Sequence, residues 1–287
     1  MINPRISLLI GLISISIFPV LVKWAPVSGI TSAFYRMFIG FICLLPYAVI
    51  GGKLQVISWK QWIPITICGI LFGTDIAVWN LSIHYSNATQ ATLLTNLSPV
   101  WVGIGSFLFL PYKPSARFWI GTALAMVGLV VLFGLDTFTG MQFDKGFTFA
   151  ILSGILYATY MIVSKSILNK INIITFMTYS MAVSSIYLFA VCLFSDQPLW
   201  HFSTTIWSVF IVQGLISQLL GWLAISYAVQ MLDAERVSLS LLGQSVVTGL
   251  LAWLFIGEKI SLQMIIGGLI ILTGIAITFK KEKPLEV

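Results

Sequence analysis

Ten apolar stretches, each of about twenty residues and parted by short loops, decide what this chain can fold into. Their approximate limits are 6–22, 30–50, 62–85, 89–110, 117–135, 146–164, 173–194, 206–230, 236–256 and 262–279. A hydrocarbon core about 30 Å thick takes about twenty helical residues to cross, and these segments have that length. The loops carry Pro, Gly, Asn or a charge, as from Pro111 to Ser115 and from Gly257 to Ser261, and none has room for a soluble domain. The expected fold class is an all-α integral membrane protein with ten transmembrane helices.

Only 8% of the 287 residues are charged and 59% are hydrophobic, whereas an ordinary soluble domain is about 25% charged. The net charge of +6 forms no basic stripe, which argues against nucleic acid as a partner and for anchoring in a lipid bilayer. Arg5 followed by residues 6–22 has the outline of a signal peptide. The stretch after it, from Lys23 to Val27, has no small-x-small cleavage site, so it is read as the first span. Cys43, Cys68 and Cys192 lie in apolar runs without metal-binding spacing and read as small hydrophobes.

Topology follows from the cations. With the N-terminus in the cytoplasm, the inner loops and tails hold Arg5, Lys53, Lys60, Lys113, Arg117, Lys165, Lys170, Arg236, Lys280, Lys281 and Lys283. The outer loops hold Lys23, Lys145 and Lys259, and Arg36 lies within a span. This positive-inside bias puts both chain ends in the cytoplasm of a cell, expected to be the inner membrane.

A repeat runs through the chain. A shift of 146 positions, which carries Ala88 onto Ala234, also matches Leu93 with Leu239, Gly103 with Gly249, Lys113 with Lys259, Ser115 with Ser261, Gly121 with Gly267 and Gly128 with Gly274. Each half, 1–140 and 141–287, then holds five spans. Because five is odd, the halves enter the membrane from opposite sides, as two inverted five-helix repeats.

The repeat is also where a resemblance enters. AFYRM from Ala33, ATLLTNLSPV from Ala91, QLLGW from Gln218, FIGEKIS from Phe255 and the glycine pair at Gly267 resemble the EamA-type families of the drug/metabolite transporter superfamily over nearly the whole chain. The resemblance implies a ten-helix inner-membrane carrier of small metabolites, often an exporter of amino acids or drugs. The chain departs from the family pattern twice. Pro111 and Tyr112 replace a Gly-Glu pair, and Gln244 with Ser245 replaces Gln-Pro in the ninth span, which removes the proline expected to kink that helix.

Polar groups at mid-membrane depth mark the candidate site. Asp75 is placed roughly 12 Å below the outer surface and Arg36 roughly 10 Å, so the two are expected to pair, either as a fixed ion pair or as partners for which a substrate carboxylate or amine competes. Trp79 stands one turn above Asp75 and Asn80 one turn before His84, ahead of a polar break at Ser86, Asn87 and Thr89. His84 is read as solvated. Thr92, Asn96 and Pro99 share one face of the fourth span, where Pro99 frees a backbone carbonyl. In the second half Gln218 with Trp222, and Gln244 with Ser240 and Thr248, form polar lines that serve either as helix glue or as substrate contacts. Tyr157, Tyr160 and Tyr179 read first as core packing.

The substrate-binding set expected is therefore Arg36, Asp75, Trp79, Asn80, Asn96, Gln218, Trp222 and Gln244. No HExxH, GxSxG, Walker sequence or carboxylate pair is present, so neither an enzyme nor an ATP-driven pump is expected, and no cofactor or metal. The function expected is secondary transport of a small polar or zwitterionic metabolite, with Asp75 as the group available for proton coupling. A channel or an uncoupled structural membrane protein is the alternative. Oligomeric state, direction and substrate are not encoded in any motif.

Overall fold

Inside hydrocarbon each backbone N–H and C=O must find its partner within its own segment, and the apolar stretches meet that demand as helices. The computed structural model describes residues 3–24, 27–86, 88–134, 141, 143–257 and 259–279. Of the residues singled out above, Asn87, Glu258, Lys280, Lys281 and Lys283 lie outside these. So do residues 135–140, beside the expected boundary between the halves.

The first three spans are α1 (Pro4–Trp24), α2 (Gly29–Ile50) and α3 (Trp59–Tyr85). The fourth is divided into α4 (Ala88–Thr95) and α5 (Ser98–Phe109), and the fifth is α6 (Ala116–Phe133). The sixth and seventh are α7 (Lys145–Leu168) and α8 (Ile173–Phe194). The eighth starts as α9 (Thr204–Val212), widens into a π-helix (Gln213–Gly221) and ends as α10 (Trp222–Met231). The ninth is divided into α11 (Ala234–Leu241) and α12 (Gly243–Ile256), and the tenth is α13 (Leu262–Phe279). All ten spans expected from the sequence are present, and each is long and apolar enough to cross a membrane.

Polar caps set several helix starts, and α3 begins three residues before the limit that hydropathy gives, at Trp59 instead of 62. Asp144 Oδ1 accepts from Phe147 N at 2.7 Å and Asn172 Oδ1 from Thr175 N at 2.7 Å, while Ser58 and Gln61 form a capping box at the start of α3. The fourth span breaks at Asn96 and Leu97, where Pro99 in the first turn of α5 cannot continue the helix before it. The ninth span breaks at Leu242, the position to which the repeat carries Asn96, although no proline stands there. The interruption is a single residue with helical dihedrals, φ −61° and ψ −25°, and not a proline kink. The turn is made by short bonds from Leu242 N to Leu239 O and from Ser245 N to Leu242 O, both 3.1 Å, with Gly243 lying close under Leu12.

Packing pairs the two halves. α3 lies on α7 and α8, while α1 lies on the π segment, α10 and α12. α4 and α5 lie on α7, α2 lies on α8 and the π segment, and α6 lies along α13. Exchanging the halves returns the same set of pairs. The contact between α6 and α13 is made by the repeated glycines, crossed over: a Cβ on Gly121 would sit 2.5 Å from Gly274 O, and one on Gly128 would sit 2.9 Å from Gly267 O. Crossed pairing of this kind requires the two helices to run antiparallel.

Candidate functional site: a polar and aromatic chamber at Asp75

Asp75 sits two-thirds of the way along α3, only 8% exposed, and turns toward α7. Ser153 of α7 donates its hydroxyl to Asp75 Oδ1 at 2.5 Å. The break in the fourth span abuts the same place. Thr95 Oγ1 lies 3.4 Å from Ala150 O and 3.5 Å from Ser153 Oγ, and Gly154 lets the chain approach so closely that a Cβ there would stand 3.3 Å from Thr95 O and 3.4 Å from Trp101 Cδ1. Trp101 Nε1 is buried beside it with no hydrogen-bond partner. Asn96 is half-buried in the break itself.

One turn before Asp75, Phe72 anchors an aromatic group drawn from three spans. Its ring centroid is 4.7 Å from that of Trp222 and 5.0 Å from that of Tyr160, which are themselves 5.7 Å apart. Tyr157 stands 6.4 Å from both Tyr160 and Trp222. Edge and tilted contacts at these distances suit the ring quadrupoles.

Arg36 reaches this group from α2. Its guanidinium carbon lies 4.8 Å from the ring centroid of Phe18 and 5.9 Å from that of Phe72, and its Nε is buried without a hydrogen-bond partner. The expected ion pair with Asp75 is not formed: among the described residues the one ion pair is Arg236 with Asp233, at 2.9 Å. Phe18 and, at longer range, Phe72 take the guanidinium while Ser153 bonds the carboxylate, so acid and base lie in one chamber without direct ion-pair contact. Desolvated cation–π contact is worth about 2 kcal/mol, which answers part of the cost of burying the guanidinium.

The other expected residues divide. Gln218, 2% exposed, lies in the π segment against Gly40 of α2, one turn beyond Arg36, and its Oε1 has no partner. Trp222, four residues on, is part of the aromatic group. Trp79 is half-buried one turn beyond Asp75. Asn80 turns elsewhere: its Nδ2 donates to Ile76 O of its own helix at 2.8 Å, and its side chain packs directly on Gly29 at the start of α2. Gln244 is half-buried in the first turn of α12, the helix that Thr248 ties to Ser16 O of α1 at 3.0 Å. His84 is exposed beside Tyr85, as read from the sequence. Sequence reasoning missed Phe18, Phe72, Trp101 and Ser153. Only for Trp101 was there a signal, a tryptophan close behind the polar run of the fourth span.

A family model described as EamA-like transporter family matches residues 5–134 and 144–280. The chain belongs to the EamA-like transporter family. It is thus a multi-pass membrane transporter of the drug/metabolite type, not an enzyme. Among relatives of this EamA-like chain, the uncharacterized transporter YdfC of Bacillus subtilis is 26% identical over 258 residues, spanning 88% of this chain and 83% of that protein. An uncharacterized transporter of Archaeoglobus fulgidus is 28% identical over 241 residues, spanning 83% of this chain and 84% of that one. An S-adenosylmethionine uptake transporter of Rickettsia prowazekii is 25% identical over 179 residues, spanning 62% and 60%. A solved crystal structure superposes with a TM-score of 0.80 at 15% identity over 96% of both chains, a likeness of fold. Among the described residues no group of three or more His, Cys, Asp or Glu is arranged to hold a metal.

Proposed function

We propose that this transporter is a secondary carrier of small zwitterionic metabolites, amino acids or related aromatic compounds. The reading holds that it moves them by alternating access of two inverted repeats, 1–140 and 141–287, across a cell (inner) membrane with both chain ends in the cytoplasm. The observation that carries it is the chamber: a carboxylate held by Ser153 and a guanidinium lacking a hydrogen bond at Nε stand around one group of aromatic rings. A ligand with a carboxylate, a cationic group and a flat or apolar body complements all three features. Its carboxylate would meet Arg36 and its cation Asp75 and the ring faces, with the unpaired Gln218 Oε1 taking a donor.

The inverted architecture draws support from the crossed Gly121–Gly274 and Gly128–Gly267 contacts, from breaks at repeat-equivalent points in the fourth and ninth spans, and from family matches over each half. The Rickettsia relative favours the substrate reading, since S-adenosylmethionine is itself a zwitterion with a sulfonium cation and an aromatic base. Export or exchange, with Asp75 carrying a coupled proton, completes the hypothesis.

A panel of amino acids and sulfonium or ammonium zwitterions, scored by thermal shift on purified protein and then by counterflow in proteoliposomes, tests the reading. Saturable counterflow of a zwitterion, lost in Asp75→Asn, is expected. Stabilisation by neutral or purely anionic compounds alone, or unitary currents in place of counterflow, would overturn it. Insensitivity of transport to a pH gradient would remove the proton.

A further inference from the structure

At the end of the bundle where α7 and α10 finish lies a set of bonds that substrate binding does not use. Lys165, in the last turn of α7, donates from Nζ to Gln230 O at 3.0 Å and to Leu232 O at 2.8 Å, capping the C-terminus of α10. Gln230 answers in the other direction, its Nε2 donating to Leu168 O, at the end of α7, at 2.5 Å. Terminal carbonyls lack partners in their own helix and form the negative end of its dipole, so the Lys165 ammonium at the end of α10 and the Gln230 amide at the end of α7 tie the two helices together.

A vacant partner stands next to this tie. α11 begins at once after Leu232. Its Asp233 is engaged by Arg236 at 2.9 Å, whereas Glu235, 4% exposed, has an Oε2 without any hydrogen-bond partner. Tyr112, in the turn between α5 and α6, brings its hydroxyl to the backbone of Ala234 beside Glu235. Its pKa is pushed up to about 12, first by burial and then by the negative charge of Glu235. The carboxylates that face Lys165 are Asp233 and Glu235, and of these only Glu235 keeps a buried oxygen unbonded.

Among the described residues the other end of the bundle shows no such set of bonds. The repeat carries Lys165 onto Pro19 and Gln230 onto the exposed His84.

We propose that Lys165 is the pin of a one-ended gate: on the two carbonyls of α10 it holds the end closed, and it moves onto the free oxygen of Glu235 when α7 and α10 part. The claim that these ends part rests on the alternating-access reading above. The exchange gives the gate two bonded positions, the requirement for a bistable element.

Cysteine labelling of the full-length protein in lipid nanodiscs, where both faces are reachable, tests this without a substrate. Cys43, Cys68 and Cys192 are replaced by Ala. One reporter is Ser164→Cys, beside the pin and 2% exposed; the control is Ser82→Cys at the opposite end, fully buried. With a polar maleimide, Lys165→Met is expected to raise labelling at Ser164→Cys about tenfold while leaving Ser82→Cys protected. Lys165→Arg is expected to behave as the parent, and Glu235→Gln to slow labelling at Ser164→Cys. Equal acceleration at both reporters would show that Lys165 serves general stability and would overturn the gate. So would an unchanged rate in Lys165→Met, or acceleration by Glu235→Gln. A failed metabolite panel with selective labelling would count against the substrate reading alone.

Discussion

The seam between α3 and α7 and the seam between α1 and the eighth span occupy corresponding places in the two halves, yet they are built from opposite chemistry. The shift of 146 positions carries Asp75 onto Gly221, and carries Ser7 onto Ser153 and Gly11 onto Tyr157. In the first seam Ser153 bonds a buried carboxylate and Tyr157 joins the ring group. In the second, Ser7 Oγ donates to a backbone carbonyl, Ala224 O, at 2.9 Å. There a Cβ on Gly11 would come 2.9 Å from Gly221 O and 2.6 Å from Ile225 Cγ1. One seam spends its side chains on a polar chamber, and the other strips them away to bring backbones together. The difference teaches that two similarly placed seams need the chemistry in only one of them, provided the other holds the helices rigidly enough to keep that chemistry in register.

Four substitutions press on this comparison. The largest effect is expected from Asp75→Asn, which should cut transport of a bound zwitterion about 100-fold or more, the scale of losing one partner of a buried charged contact, while the thermal midpoint stays close to the parent's. A variant that transports normally would leave the two seams equivalent in function. Next comes Ser153→Ala, which removes the donor to a carboxylate and should weaken ligand binding by about 1.5–3 kcal/mol, read by titration calorimetry. Gly11→Val should leave ligand affinity per folded molecule intact but destabilise the protein by about 1–3 kcal/mol, because the added carbons meet backbone as well as Ile225. Its check is denaturation in mild detergent with a binding assay on the surviving fraction. The smallest effect is expected from Ser7→Ala, the repeat partner of Ser153→Ala, at about 0.5–1.5 kcal/mol of stability and none of binding. If Ser7→Ala and Ser153→Ala shift ligand affinity equally, the contrast between the seams fails.

The spans were legible because hydrocarbon imposes a length and an apolar composition on every segment that crosses it, and all ten obey. The repeat glycines were legible as close-packing positions; that Gly121 faces Gly274 and not Gly267 was not, since only the assembled bundle sets partners. Asp75, Gln218 and Trp222 could be picked out as polar or amphipathic groups in unusual places. Asn80 could be picked out on the same grounds, although it packs on Gly29 and bonds its own helix. Depth from sequence gives height in the membrane and says little about azimuth. Arg36 and Asp75 illustrate the limit: matched heights suggested an ion pair, whereas the guanidinium lies over Phe18 and Phe72 and the carboxylate takes the hydroxyl of Ser153.

By itself the sequence determined the number of spans, their limits to within a few residues, and the presence of ionisable groups at depth, because all of these follow from local composition and helical rise. The tertiary structure alone decided that the ninth span breaks without a proline, that rings from the first, third, sixth and eighth spans converge around Arg36 and Asp75, and that Ser153 holds the carboxylate. Those outcomes depend on which helix faces which. That choice is made by packing between residues on different spans, such as Ser153 and Asp75, 78 positions apart in the chain, and no local pattern encodes it.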